Sequence, residues 1–117
     1  MKYKVNVIEV GSSVNDMLQT GLLILFNKKA PEDLKPYCLI TEDNTETGEI
    51  EQGDTLIMGN YNYTITAIGE QANTNLYSLG HVSLCFDSAQ EPTLPGHIHL
   101  SPEFKNNLTD IERIVIE

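Results

Sequence analysis

Thr55-Leu56-Ile57-Met58-Gly59-Asn60-Tyr61-Asn62-Tyr63-Thr64-Ile65-Thr66-Ala67-Ile68 is the stretch on which the fold turns. Gly53-Asp54 marks a turn into the apolar run Thr55–Met58, and Gly59-Asn60 marks a second turn out of it. Beyond that turn, side chains alternate so that Tyr61, Tyr63, Ile65 and Ala67 share one face. Two runs rich in β-branched and aromatic residues, joined by turn residues, predict a β-hairpin.

The same signature recurs on both sides. Tyr3-Lys4-Val5-Asn6-Val7 alternates, and Ile8-Glu9-Val10 shifts the phase by one residue, as a bulged strand does before Gly11 ends it. Leu22–Phe26 is an apolar run too short for a stable helix and predicts a buried strand, and Tyr37–Ile40 predicts another. Val82, Leu84 and Phe86 form an inward face that leaves His81, Ser83, Cys85 and Asp87 on the other. His97-Ile98-His99-Leu100 follows as a strand with both histidines on one face, and Ile111 to Ile116 closes the sheet. Helical turns are brief: Ser12 to Leu18, with serines able to cap; Glu32-Asp33-Leu34 between two prolines; and Asn73 to Leu79, stopped by Gly80. Glu42, Asp43, Asn44 and Glu46 make Thr41–Gly48 read as an exposed hairpin loop, without the ligand spacing of a calcium loop. No internal repeat is visible. These signals predict an all-β protein: a small closed or nearly closed β-barrel of about seven or eight short strands with brief helical turns, forming one domain over residues 1–117.

Composition narrows the partners. Seven Lys plus Arg against seventeen Asp plus Glu leave a net charge of −10, which repels nucleic acid and anionic membranes. That charge suits a protein partner with a basic face, although plain solubility explains it equally well. No apolar run approaches the roughly 20 residues needed to cross a bilayer, and Met1-Lys2-Tyr3-Lys4 leads straight into strand-like sequence, so a cytoplasmic protein without membrane insertion is expected. Cys38 and Cys85 then read as reduced thiols.

All three histidines, His81, His97 and His99, fall within nineteen residues. A neutral imidazole can serve as nucleophile, proton shuttle or metal ligand, and it can equally be a hydrogen-bonded strand residue at a barrel rim. His97-x-His99 followed by Glu103 has a superficial likeness to a cupin's first ligand cluster. No histidine follows Glu103, however, and Pro102 sits awkwardly in a central strand, so neither a metal nor a cofactor is expected. The absence of a Gly-x-Ser-x-Gly elbow and of a Gly-rich phosphate loop argues against a hydrolase.

Four motifs occur in order along the chain: Ala30-Pro31-x-Asp33-Leu34-x-x-Tyr37-Cys38-x-Ile40, Tyr63-x-Ile65-Thr66-Ala67-Ile68-Gly69, Gly80-His81-Val82-x-Leu84-x-Phe86-Asp87 and Pro95-Gly96-x-x-His99. Together they resemble the glucitol/sorbitol-specific IIA component of the bacterial phosphoenolpyruvate-dependent sugar phosphotransferase system. The resemblance implies a small cytoplasmic β-barrel phosphocarrier. Such a protein takes a phosphoryl group from HPr onto a histidine and passes it to a cysteine of a IIB domain. The histidine usually labelled as acceptor in that family lies just after the Tyr-Cys motif, where this chain has Thr41. His81 and His99 occupy matched motif positions, whereas His97 falls on a free one. On the resemblance, His81 is the acceptor and His99 the neighbour that hydrogen-bonds the phosphoryl group, with Ser83 as a further donor. A second reading of His81 is that it satisfies a strand-start carbonyl. Thr41 also motivates an alternative function, a non-catalytic regulatory or binding protein that keeps the docking face.

Overall fold

The computed structural model describes residues 1–105, 108 and 111–117, the Asp43 side chain excepted. In chain order the elements are β1 (Tyr3–Val10), α1 (Val14–Leu18), β2 (Leu22–Asn27), β3 (Cys38–Glu46), β4 (Thr55–Met58), β5 (Tyr61–Ile68), α2 (Ala72–Leu79), β6 (Val82–Cys85), β7 (His97–Ser101) and β8 (Arg113–Ile116). The strands close into a barrel in the order β1-β3-β2-β6-β7-β5-β4-β8, with β8 returning to β1. The all-β barrel expected from the sequence is therefore present. No helix among the described residues is long and apolar enough to cross a membrane.

Alternation along each strand fills the barrel. Leu23, Leu39, Leu56, Ile65, Leu84, Ile98, Leu100 and Ile114 point inward and are fully buried, each contributing roughly 1.5–3 kcal/mol by leaving water. The hairpin at Gly59 pairs Leu56 with Tyr63, and the phase shift in β1 is a pair of register slips, between Lys4 and Asn6 and between Val7 and Glu9. Two local expectations change. Most of Thr41–Gly48 is not a loop: β3 continues to Glu46, pairing Thr41 with Val7 and Glu46 with Tyr3, and only Thr47 and Gly48 lie beyond the strand. The long β1 offers backbone partners that compensate for polar side chains, and Asn44 and Thr45, on opposite faces of the strand, are both exposed. The helical turn after Pro31 is a 3-10 turn at Lys35–Tyr37, following a tight turn in which the Leu34 and Lys35 amides both donate to the Pro31 carbonyl. Ser13 precedes α1 but makes no capping bond through its hydroxyl.

Six strands form two equivalent triplets. β1-β2-β3 and β5-β6-β7 each run strand, glycine, helix, left-handed glycine, strand, proline-bearing loop, strand. In both, the first strand pairs antiparallel with the third, and the second pairs parallel with the third. β2 and β6 meet antiparallel at the join, with Ile24 opposite Ser83. The loops are pinned alike: the Gly11 amide donates to the Cys38 carbonyl at 3.0 Å and the Gly69 amide to the His97 carbonyl at 2.8 Å. Ser13 and Gln71 likewise donate their amides to the carbonyls of Pro36 and Pro95, both at 2.8 Å. The sequence showed no repeat because the repeat lies in the backbone plan, while the outward side chains of the two halves differ.

Candidate functional site

Parallel pairing sets Ser83 beside His97, Leu84 beside Ile98 and Cys85 beside His99. Leu84 and Ile98 point into the core, so the histidines, Ser83 and Cys85 all project from the outer face of β6 and β7. His81 lies at the start of this row. The β2–β6 register puts Leu25 opposite Val82 and so carries Phe26 to His81, whose ring it stacks against with centroids 4.6 Å apart and planes 23° from parallel. His81 is half-buried, its backbone amide donates to the Asn75 carbonyl at 3.4 Å, and neither ring nitrogen has a hydrogen-bond partner among the described residues. Burial lowers its pKa below 6.5, which keeps the ring neutral at pH 7. Gly80 ends α2 at φ 62°, and a Cβ there would lie 2.8 Å from the Asn27 Cβ, so glycine both makes the turn and lets β6 start close to β2.

Further along the row, His97 Nδ1 lies 3.2 Å from Cys85 Sγ. Burial first, and the nearby Asp87 carboxylate second, push the Cys85 thiol up to about 11, so it is protonated at neutral pH. His97 is half-buried, and its pKa is lowered by burial and by His99 against the opposing pull of Asp87. His99 is 1% exposed. Its Nδ1 sits 2.9 Å from Asp87 Oδ1, and its Nε2 is 3.4 Å from both the amide nitrogen and the hydroxyl of Thr93. The Thr93 amide can only donate, which assigns the lone pair to Nε2 and the proton to Nδ1, directed at Asp87. Burial works to raise the Asp87 pKa, but the bonds from His99 and the Ala89 amide together hold it below the usual carboxylate value.

A cavity of about 260 Å³ opens at the same barrel end as His81, lined by Tyr3, Asn27, Lys28, Lys29, Thr41 and Gly80 among others. Thr41 is 1% exposed and donates its hydroxyl to the Phe26 carbonyl at 3.3 Å. The residue at the family's labelled position thus braces the strand that carries Phe26 against His81.

The structure places His81, Ser83 and His99 on one face, as the alternation predicted, but it does not bring His99 to His81. His99 is opposite Cys85, four positions along the strand from His81 and thus about 13 Å away. Sequence reasoning treated Cys85 as a structural thiol and missed its contact with His97. The available signal was its place on the histidine face; the pairing of β6 with β7 was not legible. Lys28 and Lys29 were missed as well, because nothing in the local pattern places them beside Gly80.

This geometry, a small barrel presenting a half-exposed neutral imidazole near its rim, suits a histidine phosphocarrier, and comparison with known proteins makes the class specific. A family described as PTS system glucitol/sorbitol-specific IIA component matches residues 2–115. The chain is 36% identical over 99 residues to the PTS system glucitol/sorbitol-specific EIIA component of Shigella flexneri, covering 85% of this chain and 80% of that protein. The same figures hold for its counterpart in Escherichia coli strain K12. A solved PTS system IIA component from Enterococcus faecalis V583 superposes with a TM-score of 0.82 at 28% identity, covering 96% of this chain and 97% of that one. The protein belongs to the glucitol/sorbitol-specific IIA component family. It is a phosphocarrier of the sugar phosphotransferase system, working through a phosphohistidine intermediate.

Proposed function

We propose that His81 receives the phosphoryl group from phospho-HPr in the cytoplasm and passes it to the cysteine of a IIB domain during glucitol/sorbitol-type sugar uptake. The observation that supports this reading most is the His81 ring itself: half-exposed, neutral, braced by Phe26 and, among the described residues, without a hydrogen bond at either nitrogen. In the first transfer a lone pair of that ring forms a P–N bond as the donor's P–N bond breaks in line. In the second, a thiolate sulfur takes the phosphorus and the ring recovers its lone pair. Leu79, 50% exposed and two residues away, supplies apolar docking surface. Lys28 and Lys29 supply positive charge at the same end of a strongly acidic protein.

Incubation with phosphoenolpyruvate, Enzyme I and HPr should add one acid-labile phosphate, found by mass spectrometry on the peptide containing His81. Phosphate on the His97–His99 peptide instead would overturn the assignment. The lysines give a separate prediction. Reversing both, Lys28→Glu with Lys29→Glu, is expected to slow phosphoryl acceptance by about tenfold at low salt, with the difference shrinking at high ionic strength. A rate equal to that of the unsubstituted protein across the salt series would remove these residues from the transfer surface.

A further inference from the structure

The two triplets differ in what their outward faces hold beneath the proline loops. In the first, Ile24, Phe26, Cys38 and Ile40 pack with Ala30 into a small apolar cluster. The shared register makes Ser83, Cys85, His97 and His99 the equivalents of Ile24, Phe26, Cys38 and Ile40. Apolar packing around one buried thiol suffices to hold the first loop down, so the fold itself does not demand two imidazoles beside the thiol under the second. Each of Cys85, His97 and His99 offers a ligand atom, and these atoms lie within 4.8 Å of one another.

We infer that Cys85, His97 and His99 form a binding site for a zinc-type divalent cation. One thiolate and two imidazoles are the borderline-soft donor set that such an ion prefers. Zinc bond lengths place neighbouring ligand atoms about 3.3–3.6 Å apart. The Cys85 sulfur and His97 Nδ1, at 3.2 Å, already stand close to that spacing, and the half-buried His97 ring has room to adjust. Asp87, bonded to His99 Nδ1, is the kind of carboxylate partner that orients a ligating imidazole, so the ion takes the Nε2 lone pair in place of its 3.4 Å contacts with Thr93, and the Asp87 charge offsets part of the ion's. Three protein ligands leave a fourth position for water or an incoming group. On binding, the Cys85 S–H bond breaks, its proton passes to solvent and the sulfur lone pair goes to the ion. The site is separate from His81 and stands whether or not His81 is the phosphoryl acceptor.

Titration of the reduced protein with zinc should show saturable 1:1 binding. Titration with cobalt(II) should produce a thiolate-to-metal charge-transfer band together with the strong visible absorption of a tetrahedral centre. Cys85→Ser should abolish the charge-transfer band, while Cys38→Ser, which alters the apolar cluster, should retain it. Because Cys85 is buried and its variant can misfold, His97→Gln provides an independent arm, with an expected loss of at least about tenfold in cobalt affinity. Absence of saturable binding, a band that survives Cys85→Ser, or undiminished affinity in His97→Gln would each overturn the assignment.

Discussion

His81→Ala is expected to abolish phosphoryl acceptance, lowering the rate of labelling from phospho-HPr by at least about two orders of magnitude. The substitution removes the proposed nucleophile and leaves the barrel intact, because His81 lies outside the main core and stacks on the outward Phe26 ring. Far-ultraviolet circular dichroism should therefore match that of the unsubstituted protein. Two further variants separate His81 from its neighbours. His97→Gln and Asp87→Asn alter the second cluster and should leave acceptance within about threefold, since the row spacing holds both away from His81. Acid provides an independent check. An ordinary imidazole is half protonated near pH 6.5, whereas burial lowers the His81 pKa, so acceptance should hold steady through pH 6.5 and decline only below it. The stability linkage has the same direction. A lowered folded pKa gives a contribution that is present above 6.5, where both states are neutral, and lost as pH falls through the folded pKa and the unfolded chain takes up the proton first. Full labelling of His81→Ala, or acceptance already halved at pH 6.5, would move the chemistry to another ring.

What the sequence revealed follows from where each signal is stored. Strands with one buried face carry their own evidence: Val82, Leu84 and Phe86 against His81, Ser83 and Cys85 is a period of two that any pairing partner preserves. The same logic located the Gly59 hairpin, the slipped β1 and the stop at Gly80. It failed at Thr41–Glu46, where the side chains are polar and the strand is held by backbone bonds to β1, which leave no mark on composition. Pairing between distant strands was also hidden, and the candidate site depends on it. His81 and His99 fall on one face by alternation alone, but only the parallel register of β6 with β7 shows that His99 answers to Cys85 rather than to His81. The twofold plan of the barrel was hidden for a related reason. Ile24 and Ser83, or Ile40 and His99, occupy equivalent places with unrelated chemistry, so self-comparison of the letters finds nothing while the carbonyls accepting from Gly11 and Gly69 reveal the match.

Gly69→Ala is expected to be strongly destabilising for the addition of one methyl group, costing about 2–4 kcal/mol of stability and lowering the melting temperature on the order of 10 °C. The added Cβ would stand 2.3 Å from the Pro95 carbonyl oxygen and 2.4 Å from that of Leu94. Both obstacles are backbone, so no side-chain rotation relieves them. Nor is the backbone free to withdraw: the Gly69 amide donates to the His97 carbonyl, the Gln71 amide to Pro95 and the Ala72 amide to Gly69 itself. Relief therefore requires the 94–95 segment to lift by about 1 Å, breaking bonds that fix the loop over His99. The equivalent glycine in the other triplet makes the same prediction, since a Cβ at Gly11 would lie 2.3 Å from the Pro36 carbonyl oxygen and 2.4 Å from that of Lys35. Gly48→Ala is the matched control. Its Cβ would meet only the Lys2 Cγ, at an ordinary 3.7 Å, and its stability should change by less than about 0.5 kcal/mol. Chemical denaturation of the three variants measures these differences. Modification by diethyl pyrocarbonate adds a local readout: His99, 1% exposed in the intact fold, should become reactive in Gly69→Ala and stay protected in Gly11→Ala. If Gly69→Ala proves as stable as Gly48→Ala, or if His99 stays protected in it, the proline loop is not held in place by close approach to this glycine.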